Sequence, residues 1–120
     1  MRMEIDLIRE LVLKIEACTD REGIGNITIP GYSRDQIAYH VYLLNDAGFI
    51  KAVLCDSSTI PEAYVILGLT WDGQNFLKNV QNDTIWDQVK ARAGQLGGEV
   101  SIMILGRLAE ALVNTTLGIG

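Results

Sequence analysis

A chain of 120 residues is about one domain's worth, and 48% hydrophobic with 21% charged residues and no block of like charge is a globular composition, not a disordered or fibrous one. Fifteen acids against ten bases give a net charge of −5, which opposes any nucleic-acid function resting on bulk charge. Arg107 and Glu110 interrupt the only long apolar region before it reaches the ~20 residues of a membrane helix, and Met1 to Glu10 lacks a signal-peptide core, so a soluble, cytoplasmic protein with no membrane partner is expected.

Ile5, Ile8, Leu11, Val12 and Ile15 recur at helical spacing and predict a first amphipathic helix from about Glu4 to Cys18. Thr19 to Asn26 has turn-forming composition, and Ile27, Thr28 and Ile29, closed by Pro30 and Gly31, fit a brief edge strand. Ser33 with Gln36 three residues on forms a capping box, and Gly48 is a stop signal, so a second helix runs from Arg34 to Ala47. Phe49 to Cys55 and Ala63 to Thr70 are β-favouring runs joined by the loop Asp56 to Glu62, which together predict a hairpin.

Thr70 is a good N-cap for a third helix from Trp71 to about Gln81, with Phe76, Leu77 and Val80 inward. Asp83 or Thr84 restarts the chain into a helix from Ile85 to about Ala93, broken by Gly94, Gly97 and Gly98, and a last helix spans about Val100 to Thr116. The Gly97, Gly98 pair is the one candidate hinge. The expected core holds Ile8, Leu11, Ile15, Ile37, Val41, Leu44, Leu67 and Leu69. A single domain over 1–120 is expected, with its core in 4–81 and a C-terminal helical extension over 83–116.

Helix, short strand, helix, hairpin and further helices is the element order of an α+β winged-helix-like domain, with the hairpin as wing and helix 34–47 in the recognition position. The run Ile37, Tyr39, His40, Val41, Leu43, Leu44, Ala47, Gly48, Phe49, Ile50 resembles the stretch of bacterial winged-helix repressors where the recognition helix enters the wing. A broader resemblance is carried by Gly31, Tyr32, Ser33, Tyr39, His40, Val41 and Leu44, then Leu69, Thr70, Trp71, Gly73, Phe76 and Leu77, then Asp83, Thr84 and Trp86. From about Met3 to Leu112 the chain is similar to the domain of unknown function 2513 family. That resemblance implies a winged-helix-like domain of bacteria or their phages and transfers no functional residue. The chain departs from the repressor pattern between Thr19 and Tyr32, where a positioning helix would lie and no helical period is found.

On a wheel of about 100° per residue, Ile37, Val41 and Leu44 mark the buried side of the second helix. Asp35, Ala38, Tyr39, Tyr42 and Asp46 lie opposite, with Arg34 and Asn45 on the flank. Two carboxylates at the centre of this face would repel phosphates, and the loop Asp56 to Glu62 has no Arg or Lys to enter a groove. Arg34, Asp35, Tyr39, Tyr42, Asn45 and Asp46 are therefore a candidate interaction face for a protein partner, since tyrosine is enriched where proteins meet. The alternative for the tyrosines is cover by Tyr64, Ile60 or a later helix; the alternative for the face is DNA binding through helix 34–47 and wing 49–70.

No catalytic, metal or cofactor residue is assigned, and no enzymatic activity is expected. Cys18 and Cys55 are expected as reduced, buried thiols, and with His40 alone they cannot fill a zinc site. His40, at the edge of the buried face, is read as a hydrogen-bonded structural histidine. Asp35 and Asp46 are three turns apart, about 16 Å by the helical rise, too far to act as a paired acid and base. In the last helix Met103 and Ile104 lie off the stripe of Ile102, Leu105, Leu108, Ala109 and Leu112; they are candidates for self-association as a homodimer, or for burial under the helix of Ile85 to Ala93.

Overall fold

The computed structural model describes residues 1–18, 22–96 and 100–116. The elements are α1 (Ile5–Ala17), α2 (Arg34–Asp46), β1 (Ile50–Leu54), β2 (Tyr64–Leu69), α3 (Trp71–Val80), α4 (Asp83–Gln95) and α5 (Ile102–Thr116). They form two compact units, Met1–Gln74 and Asn75–Gly120, so the division falls inside α3.

In the first unit, α1 buries Leu7, Ile8, Leu11, Val12 and Ile15 along one stripe, the spacing that sequence periodicity requires of a core-facing helix. Ser33 Oγ accepts from the Gln36 amide at 3.1 Å and Gln36 Oε1 accepts from the Ser33 amide at 2.8 Å, the reciprocal capping box that starts α2. The helix ends where Gly48 takes a φ of 81°, a left-handed conformation that a side chain resists, and the chain turns directly into β1.

β1 and β2 pair antiparallel, Ile50 opposite Leu69 and Leu54 opposite Tyr64. The register shifts between Lys51 and Ala52, where β2 carries the extra residue Leu67. Tyr64 and Ile66 point inward while Val65 and Leu67 point out. Leu67, expected in the core, is thus 55% exposed and Leu69 is only half-buried. Because side chains alternate faces, misjudging the phase of a strand by one residue exchanges its buried and exposed sets. The other expected core residues, Ile8, Leu11, Ile15, Ile37, Val41 and Leu44, are buried.

The strand expected at Ile27 to Ile29 does not form. Among the described residues, ladder pairing beside β2 is confined to one antiparallel bridge between Ile24 and Ile66, with N···O distances of 2.8 and 2.9 Å. Farther on, side chains take the groups a ladder would use: Tyr64 Oη accepts from the Ile27 amide at 3.2 Å, and Lys14 Nζ donates to the Thr28 carbonyl at 2.9 Å. Ile27 and Ile29 are nonetheless buried, so the alternation of the run is kept without the strand.

Thr70 caps α3, its hydroxyl accepting from the Gly73 amide at 3.1 Å and donating to the Gly48 carbonyl. Gly73 is required by close approach, because a Cβ there would overlap the carbonyl oxygen of Phe49. Trp71, in the first turn, is 80% exposed.

In the second unit, α4 packs against α5. Phe76, Leu77 and Val80 of α3 are buried, as are Ile85, Trp86, Val89 and Ala93 of α4 and Ile102, Leu105 and Ala109 of α5. The N-cap of α4 is Asn82, whose Oδ1 accepts from the Ile85 amide at 3.0 Å, not Asp83 or Thr84. Gly94 lies within α4, which runs on to Gln95, and the candidate hinge Gly97, Gly98 lies outside the described residues. Ser101 Oγ accepts from the Ile104 amide at 3.2 Å, so α5 begins two residues later than Val100.

Candidate functional site

The site is the outward side of α2, and its composition is decided by what the helix spends on the inside. Ile37, Ala38, His40, Val41 and Leu44 are buried. Ala38 was expected outward; it is 3% exposed because the buried arc extends round the helix toward Arg34 and Asn45, the side on which the hairpin is held. Arg34 donates through its guanidinium to the Glu62 carbonyl at the end of the hairpin loop. Asn45 Oδ1 accepts from the Ala52 amide at 3.0 Å, at the point where the register shifts and a ladder bond is displaced.

Arg34 and Asn45 therefore clamp the hairpin to α2, and neither role is readable locally, since the partners are 28 and 7 residues away. Of the six candidate face residues, Asp35 and Asp46 are exposed and Tyr39 and Tyr42 half-buried along the outward arc, joined by half-buried Leu43. Tyr39 packs edge-on against His40, with ring centroids 5.5 Å apart. No basic residue of α2 lies on that arc.

His40, the only buried polar residue among the described residues, is fully enclosed. Its Nδ1 lies 2.6 Å from the Gln36 carbonyl, and its Nε2 accepts from the Glu4 amide at 2.7 Å. Both ring nitrogens are satisfied only when the ring is neutral with the proton on Nδ1. Burial lowers its pKa below the ordinary value, against opposing effects of the Gln36 hydrogen bond and the Glu4 charge. The histidine is a tie between α1 and α2.

Beside the start of α2 is an open cleft of about 520 Å³ whose walls include Asn26, Pro30, Tyr32 and Arg34 over the buried Ile27, Ile29 and Ile37. Desolvation and then the charges of Asp6, Glu4 and Glu10 raise the pKa of Tyr32, so the phenol remains protonated. Among the described residues, no three His, Cys, Asp or Glu side chains are placed to share a metal ion.

Both cysteines are exposed, contrary to expectation. Cys18 caps the end of α1, and Cys55 Sγ accepts from the Ala63 amide at 3.1 Å and donates to Asp56 Oδ2 at 3.4 Å where the hairpin opens into its loop. Backbone donation from Ser58, then the Cys55 contact, draws the Asp56 pKa below its ordinary value.

Helices before and after a two-stranded antiparallel hairpin place the molecule in the α+β class. The chain belongs to the family described as Hypothetical protein (DUF2513), whose match covers residues 2–99. It is similar to a protein of Haemophilus influenzae described as "Uncharacterized protein", 29% identical over 119 residues that span 98% of this chain and 99% of that one. No solved structure matches the chain. Among the described residues, no helix is long and apolar enough to cross a membrane.

Proposed function

We propose that the chain is a non-catalytic, winged-helix-like interaction module that binds a protein partner through the outward side of α2, as a regulatory or accessory protein of phage or mobile-element origin. The element order supports the winged-helix reading, with α2 in the recognition position and β1–β2 as the wing. The origin rests on family resemblance alone.

One observation carries the choice of a protein over DNA. Arg34, Gln36 and Asn45 are the α2 side chains suited to bidentate contact with base edges, and each has one of its polar atoms engaged by the protein's own backbone. What α2 offers outward is Asp35, Tyr39, Tyr42 and Asp46. The whole unit follows the same sign, since residues 1–74 carry eleven acids against six bases, whereas residues 75–120 carry four of each. Each phosphate neutralised by a DNA binder contributes a slope of about −0.9 in log affinity against log salt, and this face supplies no cation for it.

The test pairs a salt titration against genomic DNA fragments with capture from a lysate of the source organism, using the full chain and a Tyr39→Ser, Tyr42→Ser variant. A captured protein lost from the variant supports the reading. Tight, salt-sensitive DNA binding that the variant retains would replace it with the regulator alternative.

A second surface is proposed for self-association. Met103 and Ile104 on α5 are 48% and 38% exposed, an apolar pair that pairing of two copies across a two-fold axis would cover.

A further inference from the structure

The outward side of α2 has a chemical polarity that narrows its partner, and this inference rests on the protein-binding reading above. Asp35 and Asp46 lie on nearly one line along the helix, eleven residues and about 16 Å apart by the 1.5 Å rise, both exposed. Tyr39 and Tyr42 lie between them, one to each side of that line, each half-buried. The nearest base on the helix, Arg34, gives a guanidinium N–H to the backbone carbonyl of Glu62 in the hairpin loop and not to either carboxylate.

We propose that this face takes a cationic protein segment, a helix or extended stretch whose Arg or Lys side chains meet Asp35 and Asp46 at the two ends and whose intervening side chains lie over Tyr39 and Tyr42. A tyrosine ring attracts a guanidinium or ammonium through its π face, and a carboxylate holds the same cation by a charge-assisted hydrogen bond. The two effects reinforce one another only for a positive partner. An acidic or nucleic-acid partner would meet two carboxylates on a unit that is already net negative. The separation matches basic residues eleven apart on a partner helix, or about five apart in an extended strand at ~3.3 Å per residue.

The probe is a set of synthetic alanine-based helical peptides of equal length. One carries two arginines eleven residues apart with leucines between, the second has glutamine in place of both arginines, and the third keeps the arginines but sets them four apart. Binding to the full chain is measured by titration calorimetry at low and moderate salt. The first peptide is expected to bind at least tenfold more tightly than either control, and Asp35→Asn with Asp46→Asn is expected to remove that advantage. A Glu62→Gln, Asp72→Asn variant loses the same charge elsewhere in the unit and is expected to stay within about twofold of the unmodified chain.

Equal losses in the two variants would overturn the proposal in favour of diffuse charge attraction, and failure of the arginine peptides to outbind the glutamine peptide would overturn the cationic class outright. Partner capture that depends on Tyr39 and Tyr42 but not on Asp35 and Asp46 would sink this inference alone. Capture indifferent to both pairs would remove the protein-binding reading as well.

Discussion

His40 Nε2 lies 2.7 Å from the amide nitrogen of Glu4, so a side chain of α2 receives the hydrogen bond offered at the residue where α1 begins. Glu4 has no side-chain cap for the helix it introduces, and the tie from α2 fixes this end of α1 instead. Removing the ring leaves a part-buried amide unsatisfied and a hole in the packing, so His40→Ala is expected to cost about 2–4 kcal/mol in urea denaturation.

The same tie makes stability sensitive to mild acid. The folded pKa is lowered, so as pH falls the unfolded chain takes up the proton first. The contribution is fully present above the ordinary histidine value near 6.5 and is lost as the pH falls from there toward the folded pKa. His40 is the only histidine, so the urea midpoint between pH 7.5 and 5.5 reports on it directly. The midpoint should fall across that range in the unmodified chain and stay flat in His40→Gln; the same slope in both would disprove the assignment.

Asn45→Ala removes the acceptor for the Ala52 amide at the register shift. A loss of roughly 1–3 kcal/mol is expected, with faster hydrogen exchange confined to Ala52 and its neighbours. Asn45→Asp retains an acceptor and should recover most of the stability.

Two helical glycines should respond in opposite directions to alanine. Gly73→Ala drives a methyl into the Phe49 carbonyl and should destabilise by about 1–3 kcal/mol or more. Gly94 in α4 has open space around its Cβ position, so Gly94→Ala should stabilise by about 0.5–1 kcal/mol. Thermal melts of the two variants give the comparison.

Light scattering at tens of micromolar tests the α5 surface. The unmodified chain should run at twice its 13.2 kDa mass and a Met103→Glu, Ile104→Lys variant at that mass itself. A monomeric unmodified chain, or two equally dimeric chains, removes α5 as the interface.

What could be read in the sequence follows the range of the interactions. The capping box of Ser33 and Gln36, the Thr70 cap and the α1 stripe depend on residues within a few positions, and each was legible. The hairpin was legible from its two β-branched runs, but its inward phase was not, since the added residue Leu67 and the clamp from Asn45 are set by pairing across strands and helices. The strand expected at Ile27 to Ile29 is absent for a similar reason: alternation marks an extended segment, while the acceptor and donor that answer it come from Tyr64 and Lys14 respectively. At the site, outward Asp35 and Asp46 followed from the wheel, whereas the capture of Arg34 by Glu62 did not.

The two tryptophans are divided between the two compact units and differ sharply in environment, Trp71 80% exposed in the first and Trp86 2% exposed in the second. Their intrinsic emission is therefore separable without labels: Trp71 emits from water and is open to a collisional quencher such as iodide, while Trp86 emits from an apolar enclosure. On denaturation the quenchable fraction should barely change at Trp71 and rise at Trp86. Trp71→Phe then gives a chain whose residual emission reports on the helical unit alone, and Trp86→Phe one that reports from the first turn of α3.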